Sequence, residues 1–400
     1  MRFYMRMFSR RSCALTICFM LLLLCTGGCG SPNSDTSGPV PHKITFFAMD
    51  TAMTITAYDP VSGSDKNASS ADILNTDDIL ISARDYAAGL ENMLSVNVKS
   101  SDIYAINHSD GNEISVAEDT ASLIRSALEL CDRTDGALDI TVYPFTRTWG
   151  FTTGVYRVPG PEEITELLSL VGYKRVRISP AESGQNFNSI NVDKNMMLDL
   201  GAVAKGYTAE AIADILTRNG INSALISLGG NIKTIGHKPD GSDWNVAILA
   251  PRADDVTGSS GQDSNSGSGS TSDGSGIAGI LRVSDKSVVT SGGYERYFEE
   301  NGKHYCHIID PSTGYPVDNG LLSVTIVAGD SLLCDALSTA LFVMGEEKAL
   351  EYWRNDPGFD FVIITGSNEI LISEGIYDAF TPDPGYTETD NYNVRVIRLQ

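Results

Sequence analysis

Apolar residues along this chain follow two periods, and the switches between them mark out its elements. Between residues 43 and 58 the apolar side chains alternate: Ile44 and Phe46, then Met53, Ile55 and Ala57. That predicts two strands meeting at Met49-Asp50-Thr51. Residues 72–93 and 117–132 carry apolar positions at helical spacing. A Gly-turn at Asp135-Gly136 leads into Asp139-Ile-Thr141-Val-Tyr-Pro144, which predicts a strand stopped by proline with Asp139 and Thr141 on one face. A short helix is expected at 162–170, strands at 175–178 and 189–192, and a helix running to residue 219 behind Asp199-Leu-Gly-Ala202-Val-Ala-Lys205-Gly206. Strand patterns then fill 221–228, 232–236, 244–249, 281–283, 287–290, 303–309 and 322–328. A helix at 346–354 and a hairpin at 360–364 and 369–372 follow, and 379–400 reads as a peripheral tail. Strands outnumber helices and often adjoin, so the expected fold class is α+β, with largely antiparallel sheets and packed helices.

One helix, at 330–345, stands apart. Leu332, Leu333, Ala336, Leu337, Ala340, Leu341 and Met344 recur behind the cap residues Asp330 and Ser331, with Gly345 as a stop. It is apolar over most of its circumference, which places it in the core. Asp335 and Thr339 nevertheless lie four apart on one face. A buried carboxylate is costly without a positive partner, and the helix itself offers no Lys, Arg or His. A hard cation gripped by carboxylate and hydroxyl is one answer. The other is an aspartate offsetting the helix dipole, with Thr339 bonding back to a carbonyl. On spacing alone the second answer is the commoner one.

Composition narrows the partners. The chain has 51 Asp and Glu against 29 Lys and Arg, a formal charge of −22, which argues against nucleic acid. Four of those arginines, Arg2, Arg6, Arg10 and Arg11, precede a short apolar run and Thr26-Gly27-Gly28-Cys29. Residues 1–28 are therefore expected to be a lipoprotein signal peptide, with Cys29 lipidated and 29–42 a tether to the cell membrane, on the extracytoplasmic side. Of seven cysteines only Cys131, Cys306 and Cys334 lie beyond that segment, without metal-site spacing, so no disulfide framework is expected. Residues 253–276 are Ser, Gly and Asp with almost nothing apolar, an expected disordered insertion within a 43–378 domain.

Polar and glycine clusters fall at the expected strand ends: Asp139-Ile-Thr141, Asp199-Leu-Gly201, Leu228-Gly-Gly-Asn231, Thr290-Ser-Gly292 and His307-Ile-Ile-Asp310-Pro. No P-loop, dinucleotide fingerprint, zincin or nucleophile-elbow motif occurs. Together the clusters supply carboxylates, hydroxyls, a lysine and a histidine, a set suited to a phosphorylated ligand with a metal. With Met49-Asp-Thr51, Glu91…Ser95…Ser101…Asn107, Trp149-Gly-Phe151, His307-Ile-Ile-Asp-Pro-x-Thr-Gly314 and Asp335-Ala-Leu-Ser-Thr339, they resemble, in order and over residues 44–375, the ApbE family of FAD:protein FMN transferases.

The resemblance implies an ApbE-like α-β roll and Mg²⁺-dependent transfer of FMN from FAD to a Thr or Ser hydroxyl of a target protein, with AMP leaving. It implies Mg²⁺ on Asp335, Thr339 and the Ala202 carbonyl. It implies FAD contacts at Met49, Ala137-Leu138-Asp139, Asp199, Lys205 and the backbone near Ile309. Asn97 stands where some members carry a Tyr that stacks on the ring, and Asp50 where many have Gly. Acceptor flavoprotein subunits of membrane redox complexes are the implied partners. His307 is the candidate base, with Asp310 near enough in sequence to orient it, or else a strand histidine that only hydrogen-bonds the flavin or a turn carbonyl, while a regular strand turns His304 to the opposite face. Water in place of the acceptor makes the enzyme an FAD pyrophosphatase, and no catalysis at all makes it a flavin carrier.

Overall fold

The computed structural model describes residues 39–59, 75–179, 188–251 and 276–399. The expected signal peptide, most of the tether and nearly all of the 253–276 insertion lie outside the described residues. A hairpin comes first. β1 (His42–Ala48) and β2 (Thr51–Ala57) pair with Ala48 opposite Thr51, leaving Met49 and Asp50 as a two-residue turn, both at positive φ (49° and 58°). That backbone matches the twist of a hairpin; Asp adopts it readily and Met does not.

Helix α1 (Thr76–Leu94) starts on Asn75, whose side chain accepts from the Asp78 amide, and α2 (Asp102–Asn107) on Ser101, which accepts from Tyr104. β3 (Ile114–Val116), α3 (Glu118–Arg133), α4 (Tyr143–Thr148), α5 (Pro161–Leu168), β4 (Arg177–Ser179) and β5 (Asn188–Asn191) follow. Then come α6 (Ala204–Arg218), β6 (Ala224–Leu228), β7 (Asn231–Ile235), β8 (Trp244–Leu249), β9 (Ile277–Val283), β10 (Ser287–Gly292) and the hairpin β11 (Tyr297–Glu300) and β12 (Lys303–Cys306). β13 (Leu321–Ala328), α7 (Ser331–Asn355), β14 (Asp360–Thr365), β15 (Glu369–Ser373), β16 (Phe380–Pro382) and β17 (Asn393–Ile397) complete the chain.

Nine strands form one sheet in the order β1-β2-β6-β7-β10-β13-β14-β15-β17, antiparallel except for the β15–β17 pair. Its central strands are covered on both faces. Val324, Ile326, Phe361 and Ile363 point to the core shared with α7, and Val327, Val362 and Ile364 point to the core under the small sheet β16-β9-β8. That is why β13 is buried at every position and is apolar apart from Ser323 and Thr325. α1 and α6 cover the β1-β2-β6 end.

The fold class is the expected one, α+β with mostly antiparallel sheets. Two local readings change and one expected break holds. The expected strand at 139–144 is a turn followed by α4. Asp139 Oδ1 accepts from the Thr141 amide (2.8 Å) and hydroxyl (2.6 Å), closing the turn, and Pro144 sits in the first helical turn, where its missing N–H is not needed. The two helices expected at 330–345 and 346–354 are both present, running on from one another as α7, and Gly345 (φ 78°, ψ 172°) leaves the helical region at the expected stop. The tail read as peripheral is built into the sheets: β16 pairs with β9, β17 lies beside β15, and Tyr386 and Tyr392 stack at 4.0 Å, both buried.

Candidate active site

The α7 helix brings Asp335 against the start of α6. Asp335 is 3% exposed, and its Oδ2 accepts from the Gly206 amide at 2.8 Å. Oδ1 lies 3.6 Å from the Lys205 ammonium. Only glycine fits at 206, because a Cβ there would stand 2.4 Å from the Ser331 carbonyl oxygen and 2.8 Å from the Asp335 Cβ. The carboxylate therefore finds its positive partners on another helix, and its burial does not by itself require a metal. Thr339, a turn further along, is half-buried, with its hydroxyl 3.2 Å from that of Ser291 on β10. Ser291 also meets Ser338 at 2.8 Å.

His307 follows β12. Its Nδ1 lies 3.1 Å from the Arg296 carbonyl, and its own amide donates to the same oxygen at 2.9 Å. A carbonyl accepts only, so Nδ1 carries the hydrogen and Nε2 keeps its lone pair. Burial, helped by the Arg296 guanidinium and the Lys205 ammonium, pushes the ring pKa down to about 3, so His307 is neutral. Asp310 does not orient it, in contrast to the sequence expectation. The Asp310 carboxylate instead accepts from the amide and hydroxyl of Ser312 (2.8 and 2.7 Å), closing its own turn. Ile309 is buried beside Phe145, Trp149 and Phe151, and the Trp149 indole donates to the Gly314 carbonyl at 2.9 Å. The Trp-Gly-Phe and Asp-Pro-x-Thr-Gly motifs thus form one packed unit supporting His307. His304 is separated from it, bonded to the Gly293 carbonyl (3.1 Å) and stacked on Tyr297.

Asp199 joins the same neighbourhood. Asn107 grips Leu198 by both its amide and its carbonyl (2.6 and 2.9 Å), and the Asp199 amide donates to Ile140 at 2.8 Å. The Asp199 carboxylate accepts from Gly201 (2.9 Å), and burial pushes its pKa up against the pull of Arg296. The Glu295 carboxyl is also raised, first by burial and then by Asp335, against Lys205 and Arg296. Solvent reaches Asp199, His307 and Glu295, yet loss of water is the leading influence on each. Charge couples these groups: Lys205 acts on Asp335, Glu295 and His307, and Arg296 acts on Asp199, Glu295 and His307. Asp335 and Lys205, Asp199, Glu295 and Arg296, and His307 thus form one charged cluster. Sequence reading missed Glu295 and Arg296, although a Glu-Arg pair directly after Ser291-Gly-Gly-Tyr is a visible signal.

The remaining expected residues divide. Met49 touches the site from the side: its amide donates to Glu91 (3.0 Å), and the Thr208 hydroxyl of α6 approaches its sulfur at 3.8 Å. The neighbouring Leu228-Gly-Gly-Asn231 motif packs on this turn, since a Cβ on Gly229 (φ 59°) would strike the Thr51 hydroxyl at 2.1 Å. Asp139 is buried and committed to structure, its Oδ2 accepting from the Tyr173 amide at 3.0 Å. Leu138 points into the main core and Ala137 is half-buried. Asn97 is exposed on the loop after α1, its amide bonded to the Ser95 hydroxyl.

No group of three or more His, Cys, Asp or Glu able to hold a metal occurs among the described residues. The donors at the α6–α7 junction are oxygens only. The Gly206 amide, which in a regular turn would take the Ala202 carbonyl, is directed to Asp335, so that oxygen keeps its lone pairs. One carboxylate, one hydroxyl and one carbonyl make an incomplete shell, which suits a hard cation that shares a ligand's phosphates. The residues present fit Mg²⁺.

Solved flavin transferase structures share this α+β fold. The ApbE protein of Thermotoga maritima superposes with a TM-score of 0.69 at 30% identity, covering 85% of this chain and 99% of that one. The apo flavinyl transferase ApbE of Pseudomonas stutzeri gives 0.67 at 26% identity, covering 89% and 98%. A curated FAD:protein FMN transferase of Klebsiella pneumoniae is 33% identical over 302 residues (75% of this chain, 86% of that protein), and one of Treponema pallidum is 34% identical over 298 (72% and 77%). The ApbE family model matches residues 49–363, and the chain belongs to that family.

Proposed function

We propose that this protein is an FAD:protein FMN transferase. It moves FMN from FAD to a Thr or Ser hydroxyl of an acceptor protein and releases AMP. The observation that carries the reading is the meeting, in one cluster, of a neutral histidine, two cations and an all-oxygen donor set. All of these residues lie within residues 49–363, the span that the family model matches.

FAD brings a diphosphate with two negative charges. Lys205 and Arg296, which add to the burial that keeps His307 neutral, are the groups to meet it. Phosphate offsets their charge and so removes that lesser part of what lowers the proton affinity of Nε2. His307 takes the hydroxyl proton, the hydroxyl oxygen bonds to the FMN phosphorus, and the bond from that phosphorus to the AMP oxygen breaks. The Arg296 carbonyl keeps the imidazole oriented throughout. Mg²⁺ on Asp335, Thr339 and the Ala202 carbonyl supplies charge neutralisation at the diphosphate when bound. Asp199, Lys205, Met49 and the backbone near Ile309 line the FAD side.

Incubation of the protein with FAD, Mg²⁺ and a Thr-containing acceptor segment tests the function. Flavin fluorescence that stays with the acceptor on a denaturing gel is the expected result. AMP and FMN with unlabelled acceptor identify a pyrophosphatase, and intact FAD overturns catalysis.

The extracytoplasmic, lipid-anchored placement is part of the same proposal, supported by the basic, apolar and Gly-Gly-Cys29 sequence. The acceptors are then redox proteins at that membrane surface. Incorporation of an alkyne-tagged fatty acid in cells, abolished by Cys29→Ala, is expected; labelling that survives the substitution refutes the anchor.

A further inference from the structure

The junction between α6 and α7 is held twice, in mirrored fashion. Gly206, near the start of α6, donates its amide to Asp335 on α7 (2.8 Å), and Ser331, the first residue of α7, donates its amide to Glu210 Oε1 on α6 (2.5 Å). Gly206 and Glu210 are four apart on one helix, Ser331 and Asp335 four apart on the other, so each pair occupies one face. Each helix thus has one early amide taken by a carboxylate of its neighbour. Lys233 on β7 secures the second clasp. Its ammonium, on a side chain 11% exposed, lies 2.9 Å from Glu210 Oε1 and donates to the Gly329 carbonyl just before the helix (2.5 Å).

We infer that Glu210 is a positioning residue: by clasping the first turn of α7 to α6 and β7, it sets Asp335 opposite the Ala202 carbonyl so that both oxygens can grip one divalent cation. This rests on the metal reading proposed above. Without the clasp the Ser331 amide loses its acceptor and Lys233 its counter-ion, and the α7 start is free to draw away from Gly206. Asp335 then points correctly for only part of the time. Groups behind a metal's own ligands commonly alter affinity by about 10–100-fold when removed.

The test uses Mn²⁺ as probe, its free fraction read by electron paramagnetic resonance with the FAD-free protein. Glu210→Ala is expected to weaken Mn²⁺ binding about 10-fold or more. Glu210→Gln, which keeps an oxygen for the Ser331 amide, restores most of it. Turnover of Glu210→Ala at saturating metal is expected within about 3-fold of wild type, the loss appearing in the metal concentration needed; a merely weakened fold lowers both. Should the alanine variant fail to fold, Glu210→Asp decides, because it keeps the charge beside Lys233 but is too short for Ser331. Wild-type Mn²⁺ affinity in Glu210→Ala, or in a folded Glu210→Asp, overturns the inference while the metal reading stands. A wild type that binds no Mn²⁺, or an Asp335→Ala variant that binds it normally, overturns the metal reading and this inference together.

Discussion

Replacing Asp335 by alanine and by asparagine separates the carboxylate's structural work from its charge. In the native protein Oδ2 serves the buried Gly206 amide at 2.8 Å, and Oδ1 faces Lys205 at 3.6 Å. Alanine leaves that amide without an acceptor where solvent scarcely reaches, a cost of about 1–3 kcal/mol. Lys205 is 28% exposed and can turn to water, so losing the ion pair adds less than about 1 kcal/mol. The alanine variant should therefore be destabilised by about 1–4 kcal/mol but remain folded. Asparagine can still offer an oxygen to Gly206 and should stay within about 1 kcal/mol of wild type. Both variants are expected to lose Mg²⁺-dependent turnover, since neither brings a negative charge to a cation. Urea unfolding gives the first quantity and AMP release at graded Mg²⁺ the second. An asparagine variant with undiminished Mg²⁺-dependent activity refutes the metal role; an alanine variant as stable as wild type refutes the account of the Gly206 bond.

Three further outcomes are expected. The His307 pKa lies below that of the unfolded chain, about 3 against 6.5, so its neutral form is matched by the unfolded state above pH 6.5. Stability is lost as pH falls from there toward 3, because the unfolded chain then binds a proton that the native one refuses. His307→Gln should flatten that acid slope in unfolding measurements at stepped pH. In the wild type kcat/KM should hold steady down to pH 5, and an acid limb centred near 6.5 contradicts the lowered value. Asp139→Ala orphans the Thr141 and Tyr173 amides and should cost about 3 kcal/mol in urea titrations, a loss that FAD does not reverse. Gly206→Ala forces a Cβ to within 2.4 Å of the Ser331 carbonyl oxygen, so about 1–3 kcal/mol of overpacking and weakened Mn²⁺ binding are expected together. Full affinity there shows that the helices can separate without moving the site.

How much of this was readable in advance depends on the range of the interaction. The alternation in β1 and β2, the cap and apolar rhythm of α7 and the mostly apolar β13 are local patterns, and they came through. The stretch at 139–144 did not, because β-branched residues beside a proline suit a strand until Asp139 folds back on Thr141. His307 was picked out by residue type and position. Its partner was misjudged because Asp310 is near in sequence, while the carbonyl of Arg296 is near in space. The C-terminal tail looked marginal because its strand pairs with β15, and a single strand carries no record of its neighbour.

By itself the sequence determined which residue types exist to do chemistry, their order, and the apolar periods that put most of them on known elements. Spacing within one turn of helix or strand is dictated by covalent geometry, which every chain shares. The tertiary structure alone decided what meets each charge. Asp335 looked solitary on its helix, yet its partner amide lies 129 residues away in the chain and ångströms away in the fold. Electrostatic character depends on distance and on the exclusion of water, and both are properties of packing that no local pattern encodes.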